Sequence, residues 1–402
     1  MTLVDRRGVL AATLAAAVGG RARAQNRPIK IGLLSDMGGP YMDVGGPGNR
    51  VAANLAAEDF NFSVLGRPVE IIQADMQNKA DIAASIARDW IDNQGVDVIA
   101  DGAATTSGLA VQQITREKDR IYLITGPAAS DFTGRVCAPT SAHFCYDTYA
   151  LANGTGQALT RAGGDSWFFI TADYAFGYAL EKDTIGFVQK AGGKVLGSVK
   201  VPLGTADFSS YLVQAQASGA KVVGFANAGT DLQNCIKQSA EFGITKTGQK
   251  VATLLMQVSD IVSLGQQTCA GLVFTDSFYW DMSDDTRAWT KRYMAKKPTI
   301  PGLLHAGNYA AVRHYLRAVE AAKTTETKAV MAKMKELRVN DMYNKDVLIR
   351  EDGRVLHRMY LWQVKAPDEA KYAGDFCKPL ASMPGEDAYR PLSEGGCAFI
   401  KA

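Results

Sequence analysis

Short β-branched runs alternate with amphipathic helical stripes along most of this chain, and this alternation constrains the fold more than any other feature. The predicted strands of the first set are residues 29–34, 69–72, 96–100 and 121–125. A helical stripe precedes the third of them, where Ile82, Ile86 and Trp90 recur every four residues. Strands that alternate with helices predict a parallel sheet covered by helices on both faces.

The same alternation starts again after a polar and aromatic break at residues 143–153. The predicted strands of the second set are residues 167–171, 195–201, 222–226 and 251–256. The two sets share no residue-level repeat of fixed period. The chain has 402 residues, more than one hydrophobic core normally serves. The sequence therefore predicts an α/β protein with two similar lobes, each built on a parallel sheet.

The last part of the chain is predicted to be helical first and extended later. The predicted helices are residues 285–294, 306–323 and 328–338. Two final strands, 347–350 and 355–364, are joined by residues 351–354, whose Asp-Gly pair favours a hairpin. No clear element is predicted after Pro367.

Residues 1–24 are typical of an export signal. Arg6 and Arg7 precede an apolar, alanine-rich stretch at residues 9–18, and a small-residue cleavage signature follows at residues 22–24. The paired arginines favour the twin-arginine route over the general secretory route, and a short amphipathic helix is the alternative interpretation. No cysteine stands directly after the cleavage site, so we expect no lipid anchor.

The charge of the chain argues against two classes of partner. The whole chain carries a net charge of +3, and residues 1–24 account for all of it, so the remainder is about neutral. A neutral protein lacks the basic surface that binds nucleic acid or an anionic membrane. Outside residues 1–24, no stretch approaches the roughly 18 apolar residues of a membrane span. We expect a soluble protein without nucleic-acid partners.

Catalytic and metal-binding motifs are missing from the sequence. It contains no G-x-S-x-G, H-E-x-x-H or P-loop segment, and its four histidines are not at metal-ligand spacing. The G-x-G segment at residues 46–51 has valine in place of the third glycine and an internal proline, which favours a turn over a dinucleotide site. We expect neither catalytic residues nor a metal or organic cofactor.

Six cysteines in an exported chain are compatible with 15 complete disulfide pairings. They are Cys137, Cys145, Cys235, Cys269, Cys377 and Cys397. None is at C-x-x-C spacing, which argues against a metal or dithiol redox site. Cys377 and Cys397 are close enough in sequence to form a disulfide that fixes the C-terminal segment, and buried free thiols are equally compatible with several of the others.

Six short segments follow one another in an order that covers nearly the whole chain after residue 24. They are residues 31–41, 96–101 leading into 105–107, 126–130, 173–177, 207–210 and 225–229. In this order they resemble the type I periplasmic binding proteins of branched-chain amino-acid ABC transporters, a family with leucine-binding members and a branch that takes up aromatic acids. The resemblance implies two Rossmann-like lobes, joined by a hinge of three crossovers, that close over a ligand in the periplasm.

The same resemblance sets the expected lobe boundaries and partners. The crossovers are expected near Tyr146, at residues 275–278 and near Arg350. The expected lobe 1 is residues 27–146 and 277–350, and the expected lobe 2 is residues 147–276 and 351–402. Permease subunits of an ABC importer in the inner membrane are the expected protein partners.

Three hydroxyl residues follow the third predicted strand, at the end of the sheet where ligands bind in open α/β folds. Thr105, Thr106 and Ser107, with the unpaired N–H groups of a helix start, form a candidate carboxylate site. Ordinary N-capping is the alternative for each of them. Ala128 and Ser130, after the next strand, resemble the second loop by which the family contacts the ligand carboxylate.

The expected lobe 2 contacts depart from those of amino-acid binders. Those proteins present an acidic residue to the ligand ammonium group, because a buried cation needs an anion. The matching positions here carry Gln257 and Asn227. A misalignment of one or two residues, with Asp231 or Asp260 supplying the charge, is the alternative.

The remaining candidates are ring-bearing side chains. They are Tyr41, Tyr174, Phe176, Tyr279, Trp280 and His305. Tyr41 and Phe176 match contact loops of the family, whereas Tyr279 and Trp280 lie at the second crossover, where hinge packing is the alternative. His305 stands just before the long predicted helix near the hinge.

Aromatic rings without an ammonium partner favour a planar carboxylic acid with an uncharged tail. The resemblance to the aromatic-acid branch of the family implies an acid such as benzoate or a phenylpropenoid derivative. We therefore expect a monomeric binding subunit of an ABC importer that captures an aromatic acid. The alternatives are a binding protein for branched-chain or other hydrophobic amino acids, and a soluble ligand sensor for a membrane receptor.

Overall fold

Six strands form the first sheet of the protein, whose computed structural model describes residues 27–400. The predicted export signal lies outside these residues. The strands are β1 Ile29–Ser35, β2 Ser63–Val64, β3 Arg67–Asp75, β4 Val98–Asp101, β5 Ile121–Ile124 and β6 Ser141–His143. Their order is β2-β3-β1-β4-β5-β6, and every pairing is parallel except that of β2 with β3. The central strands are nearly continuous apolar runs because helices cover both faces.

Three helices, which connect successive strands along the chain, pack against the faces of this sheet. They are α1 Gly46–Glu58, α2 Ala80–Asp92 and α3 Thr105–Glu117. Trp90 of α2 lies directly on β1, where Gly32 leaves it room: a Cβ on Gly32 would lie 2.5 Å from the indole ring. α3 begins just beyond the end of β4, with Ala104 as its N-cap. The predicted alternation of strand and helix is confirmed in this lobe.

A second parallel sheet forms the other lobe. Its strands are β7 Ser166–Ala172, β8 Lys194–Val201, β9 Val222–Ala226 and β10 Lys250–Thr253, in the order β10-β9-β7-β8. The helices of this part of the chain are α4 Thr148–Leu151, α5 Gln157–Arg161, α6 Ala175–Lys190, α7 Ser209–Ala217, α8 Gly229–Glu241, α9 Val258–Leu264 and α10 Gln266–Cys269. The two separate parallel sheets confirm the two-lobed α/β fold.

Three further helices follow the second sheet. They are α11 Asp284–Met294, α12 Leu303–Ala322 and α13 Thr327–Glu336, close to the predicted ranges. α12 packs along α1 and so returns the chain to the first lobe. Among residues 27–400, no helix is both long and apolar enough to cross a bilayer.

The sequence does not predict the third sheet, which is antiparallel. Its strands are β11 Val273–Asp276, β12 Met359–Val364 and β13 Cys377–Met383, in that order. The expectation of no element after Pro367 is wrong, because β13 is a largely exposed edge strand that contains Pro379 and lacks an apolar alternation. Two short helices follow, α14 Gly385–Ala388 and α15 Leu392–Gly395.

The predicted hairpin near residues 351–354 forms only as a short turn. Ile349 and Val355 meet in a single antiparallel bridge, and the regular strand β12 starts at Met359. The predicted strand at residues 355–364 therefore begins too early. The three residues between Val355 and β12 lie in the connection from the first lobe to the third sheet.

The fully buried Arg354 links two connections between the lobes: its own, which leads into β12, and the one that follows β6. The Arg354 guanidinium donates hydrogen bonds to the carbonyl oxygens of His143 and Cys145, and its Nη1 lies 3.5 Å from Asp147 Oδ2. It also stacks over the Tyr389 ring, 4.4 Å from the ring centroid. Arg354 thus joins two passages between the lobes to the C-terminal segment. The exact lobe boundaries stay a prediction.

The disulfide joins Cys137 to Cys397, which are 260 positions apart. The expected Cys377–Cys397 pair is wrong, because β13 carries Cys377 into the core of the second lobe while the chain end returns to the first lobe. Among the described residues, four buried cysteines are free thiols. They are Cys145, Cys235, Cys269 and Cys377.

Loss of this disulfide is expected to lower the free energy of unfolding by about 2–5 kcal/mol, because a cross-link between distant residues restricts the unfolded chain. The measurement is chemical denaturation of Cys137→Ser/Cys397→Ser beside the unmodified protein, with Cys377→Ser as the control for loss of a thiol alone. A non-reducing peptide map should contain one linked pair, the peptides of Cys137 and Cys397. A linked pair that contains Cys377 would contradict the assignment.

Candidate ligand-binding cleft

A cavity lies between the two lobes and is lined by side chains of both. The cavity is narrow and partly continuous with solvent. The lining residues are Tyr41, Val44, Ala103, Thr105, Gly126, Ala128, Tyr146, Tyr174, Phe176, Ala228, Gly229, Leu255, Gln257, Asp260 and Leu304. Most of them follow the carboxyl ends of parallel strands, where ligands bind in open α/β sheets.

The first wall is shaped by an unusual backbone after β4. Asp101 and Ala103 both have left-handed backbone angles, with φ of 75° and 28°. Residues other than glycine rarely adopt this region, and such strain is found most often at functional sites. The Asp101 carboxylate is buried and accepts hydrogen bonds from Ser35 Oγ at 2.6 Å and Asn49 Nδ2 at 2.8 Å. These contacts hold the turn that places Thr105 in the wall.

A hydrogen bond between Thr105 and Ala128 connects the two loops that were predicted to bind the ligand carboxylate. The Ala128 N–H donates to Thr105 Oγ1 at 3.2 Å, so the hydroxyl proton of Thr105 is left free to donate. The first N–H groups of α3 have no partner within the helix, and they lie at the positive end of its dipole. A hydroxyl donor beside a helix N-terminus is suited to a ligand carboxylate.

Aromatic rings form the side of the cavity between the lobes. The hydroxyl groups of Tyr41 and Tyr174 hydrogen-bond to each other across the cleft, and the Tyr174 and Phe176 ring centroids are 5.9 Å apart. Burial, and then the neighbouring Tyr174, raise the pKa of Tyr41 well above its ordinary value. Burial likewise raises the pKa of Tyr146. These tyrosines are therefore neutral hydroxyl groups at physiological pH.

An acidic residue stands in the second wall. Asp260 is buried, and its two oxygens accept hydrogen bonds from Gln233 Nε2 at 2.9 Å and from the Gln257 N–H at 2.8 Å. Burial raises the pKa of the Asp260 carboxyl to about 6. No described lysine or arginine forms an ion pair with it. Asp260 therefore places an acid in the cavity wall, which favours the alternative alignment in which Asp260 occupies the position of the acidic contact of amino-acid binders.

Asp231, the other alternative acid, lies behind the wall. Both its oxygens are 3.1 Å from the Gly204 N–H, which donates to them. Burial raises the pKa of the Asp231 carboxyl to about 6. Its charge acts on Tyr41 and Tyr174, but Asp231 is not among the lining residues.

The two lobes contact each other at the edge of the cavity. The Thr230 N–H donates to the carbonyl oxygen of Pro40 at 3.1 Å. Gly229 has a φ of 60°, and a Cβ on it would lie 2.1 Å from the same oxygen. With the hydrogen bond between Tyr41 and Tyr174, these contacts define a closed arrangement of the lobes.

Three predicted carboxylate contacts lie outside the lining of the cavity. Thr106 is exposed on α3, and Ser107 is buried with no partner for its hydroxyl among residues 27–400. Helical geometry turns these two side chains away from Thr105, since residues i+1 and i+2 do not share its face. Ser130 instead bonds to Asp183 and Arg390. Only Thr105 and Ala128 of the five predicted residues line the cavity.

Two predicted crossover contacts pack in the third sheet instead. Tyr279 Oη and Trp280 Nε1 both donate to the Gly374 carbonyl oxygen, at 2.9 and 3.1 Å. Tyr279 also stacks near Trp362, with ring centroids 5.2 Å apart. For both residues the hinge-packing alternative holds, because their polar atoms point at the loop before β13.

Asn227 and His305 also lie outside the lining. Asn227 is buried beneath the wall, and neither of its amide atoms has a partner among the described residues. His305 Nδ1 accepts from the Gly302 N–H at 3.0 Å, and Nε2 lies 3.2 Å from the Gly45 carbonyl oxygen. Burial lowers the pKa of His305 to about 4, so the ring is neutral and caps α12. The neighbouring Leu304 lines the cavity.

Several lining residues escape prediction from sequence. They are Val44, Ala103, Gly126, Tyr146, Gly229, Leu255 and Leu304. Small or aliphatic side chains carry no chemical signature, and Leu304 arrives from a helix distant in sequence. Tyr146 lies within the polar and aromatic break between the two sets of strands, which is the signal that points to it.

Residues 28–371 match the family model of the periplasmic binding proteins. The chain belongs to this family, whose members bind small molecules for ABC transporters and are not enzymes. Family membership also places its function in the periplasm and makes permease subunits its partners.

Solved structures agree along nearly the whole chain. A periplasmic binding protein from Burkholderia mallei is 47% identical, with a TM-score of 0.91, over 93% of this chain and 99% of its own. A branched-chain amino acid ABC transporter periplasmic ligand-binding protein from Burkholderia xenovorans LB400 is 36% identical, with a TM-score of 0.82, over 92% and 99%. A solute-binding protein from R. palustris in complex with benzoate is 17% identical, with a TM-score of 0.82, over 92% and 100%, and shows the fold alone.

Gly229→Ala is expected to open the lobes, because the added methyl group would collide with Pro40 at the lobe contact. Small-angle X-ray scattering of the ligand-free protein should show a larger radius of gyration than the unchanged protein. Gly219→Ala is the matched control: its φ is 65°, and a Cβ there meets no atom within 4 Å. Both variants should lose about 1 kcal/mol of unfolding free energy from backbone strain. Equal radii for the two variants would contradict the closed contact.

Proposed function

We propose that this periplasmic binding protein captures a small aromatic carboxylic acid and presents it to an ABC importer. One observation carries the proposal: a single cavity joins the Thr105 and Ala128 carboxylate end to the rings of Tyr41, Tyr174 and Phe176. Aromatic walls favour a planar ring through offset or edge contacts, and a hydroxyl beside the N–H groups of a helix start favours a carboxylate.

The competing ligand class is the amino acids, and Asp260 is the residue that favours it. The B. xenovorans relative is named as a branched-chain amino acid binding protein, which also favours an amino-acid ligand, whereas the R. palustris relative binds benzoate. Both oxygens of Asp260 are already engaged, by Gln233 and by the Gln257 backbone. An ammonium ligand would have to share those acceptors, while a protonated Asp260 can border an uncharged ring edge. We therefore favour the aromatic acid.

The remaining parts of the proposal concern the state of the protein in the cell. We propose that it is exported through the signal in residues 1–24 and acts as a monomer. Transport is favoured over a role as a soluble sensor, because the family relatives of known type belong to ABC transporters.

Benzoate and 4-hydroxybenzoate are expected to bind, and leucine and valine are not. At 100 times the dissociation constant, a ligand adds about 2.7 kcal/mol to the free energy of unfolding, which thermal denaturation detects. Benzamide is the matched control ligand, since it keeps the ring and lacks the negative charge. Stabilisation by leucine without stabilisation by either benzoate would reject the aromatic acid.

The same experiment has a matched pair of protein variants. Thr105→Val removes the hydroxyl in the cavity wall and is expected to weaken benzoate binding about tenfold, the effect of one hydrogen bond to a charged group. Thr106→Val changes the adjacent exposed hydroxyl and should leave the dissociation constant unchanged. Equal effects of the two substitutions would argue against a carboxylate site at Thr105.

The pH dependence of affinity should separate the two ligand classes by its sign. Asp260 has a pKa of about 6, and an anionic or apolar ligand beside it raises that pKa further, so binding takes up a proton. Benzoate should therefore bind more tightly at pH 5.5 than at pH 7.5, by up to about tenfold. An ammonium ligand lowers the pKa of Asp260, and its affinity should rise with pH.

Calorimetric titrations at the two pH values measure this difference. Asp260→Asn should remove most of it, and Asp231→Asn tests the part that comes from the acid behind the wall. Benzoate affinity that increases with pH would contradict the proposed role of a protonated Asp260.

A further inference from the structure

The C-terminal segment, residues 384–400, runs from the third sheet across both lobes. Asn153 Nδ2 donates to the Asp387 carbonyl oxygen at 2.8 Å, on the side of the second lobe. Arg350 Nη1 donates to the Arg390 carbonyl oxygen at 2.9 Å. The disulfide from Cys137 to Cys397 then fixes the end of the segment to the first lobe.

Arg390 is the residue of this segment that reaches both lobes at once. Its Nη2 donates to Asp183 Oδ1 on α6 at 2.9 Å and to Ser130 Oγ at 2.8 Å. The guanidinium also lies over the Tyr149 ring, 5.3 Å from the centroid. Asp183 is buried, with 8% of its side chain exposed, so this is not an ordinary surface ion pair.

The contacts of Asp183 complete a closed network. Its Oδ2 accepts hydrogen bonds from Ser130 Oγ at 2.8 Å and from Thr148 Oγ1 at 2.7 Å. The Ser130 N–H in turn donates to Thr148 Oγ1 at 3.1 Å. The hydroxyl group of Ser130 is therefore bound to Asp183 and Arg390, and its N–H is bound to Thr148, which is itself bound to Asp183.

Ser130 ends the loop of residues 126–130, which forms part of the cavity wall. Gly126 and Ala128 line the cavity, and the Ala128 N–H bonds to Thr105 Oγ1. The Thr148 N–H donates to the Ala128 carbonyl oxygen at 2.8 Å, so the same threonine holds the loop at two points. The position of Ala128 in the wall is therefore held both by Thr105 and, through Thr148, by the same contacts that hold Ser130.

We propose that Arg390 is a positioning residue for ligand binding: through Asp183 and Ser130 it holds the loop of residues 126–130 in the conformation that binds the ligand carboxylate. The ligand part of this proposal rests on the proposed function. Arg390 itself does not line the cavity. Its effect on affinity comes from loop order, since a rigid loop loses less conformational entropy when the ligand binds.

Removal of Arg390 leaves Asp183 buried without a cation, a larger disturbance than loss of a surface pair. The expected consequence is local, because Thr148 and Ser130 are the other partners of that carboxylate. Hydrogen bonds to charged groups are strong enough that their loss changes local opening about tenfold. The disulfide keeps residues 384–400 at the first lobe, so the position of Arg390 depends on it as well.

Hydrogen–deuterium exchange tests the loop without any ligand. In Arg390→Gln, amide exchange of residues 128–130 should be about tenfold faster than in the unchanged full-length protein, while that of β7 is unchanged. Arg390→Lys keeps the positive charge and should restore exchange to within about threefold. Lys221→Gln, which breaks the exposed pair with Asp165, is the matched control and should have no effect.

Two outcomes would overturn the proposal. One is exchange of residues 128–130 at the original rate in Arg390→Gln, and the other is an equal increase in β7, which would indicate general destabilisation. If Arg390→Gln does not fold, Asp183→Asn and the disulfide variant Cys137→Ser/Cys397→Ser give the same comparison. Unchanged loop exchange in both of these variants would reject the role of the network.

The ligand arm uses benzoate and 4-hydroxybenzoate with the same variants. We expect Arg390→Gln to weaken their binding about tenfold and Arg390→Lys to recover most of it. If neither acid binds the unchanged protein, the proposed function fails, whereas the exchange data still decide whether Arg390 orders the loop. Normal affinity in a variant with rapid loop exchange would reject the link between loop order and binding.

Discussion

The buried guanidinium of Arg354 is the interaction on which the arrangement of the lobes depends. It donates to His143 and Cys145 in the first passage between the lobes and stacks on Tyr389 of the C-terminal segment. Burial, and then the charge of Arg354, hold the pKa of His143 well below its ordinary value, so that ring is neutral. His143 Nε2 lies 2.9 Å from the Pro127 carbonyl oxygen, which extends the same chain of contacts to the loop in the cavity wall. Loss of one partner of a buried pair of this kind costs about 3–5 kcal/mol.

The cavity combines a first wall from the first lobe with a second wall from the other lobe. The first wall consists of backbone and hydroxyl groups fixed by Asp101 and by the contacts of residues 126–130. The second wall brings Gln257 and Asp260 on the turn into α9. Among residues 27–400, no lysine or arginine lines the cavity, so the proposed carboxylate ligand would be released without the breaking of an ion pair. Periplasmic binding proteins must hand their ligand on, and a site without a cation is suited to that task.

Sequence alone was sufficient for the two parallel sheets and for most of the predicted contacts in the loops after strand ends, with Asn227 after β9 as an exception. Tyr41, Thr105, Ala128, Tyr174, Phe176 and Gln257 all line the cavity, because a strand followed by a helix fixes where its connecting loop lies. Ser130, Tyr279 and Trp280 were expected at the ligand and are engaged elsewhere, since their partners come from residues distant in the chain, whereas His305 caps its own helix and reaches back to Gly45. The same limit applies to Cys397 and to β13, whose exposed residues follow no apolar alternation.

The bond between Cys137 and Cys397 has one more consequence, which concerns cleavage of the chain. Most of the protein, from the end of the first sheet through the whole second lobe and back, lies inside the covalent ring that this bond closes. A protease that cuts an exposed turn at one point within the ring leaves both fragments attached to each other. Surface loops of the second lobe can therefore be nicked without release of a fragment.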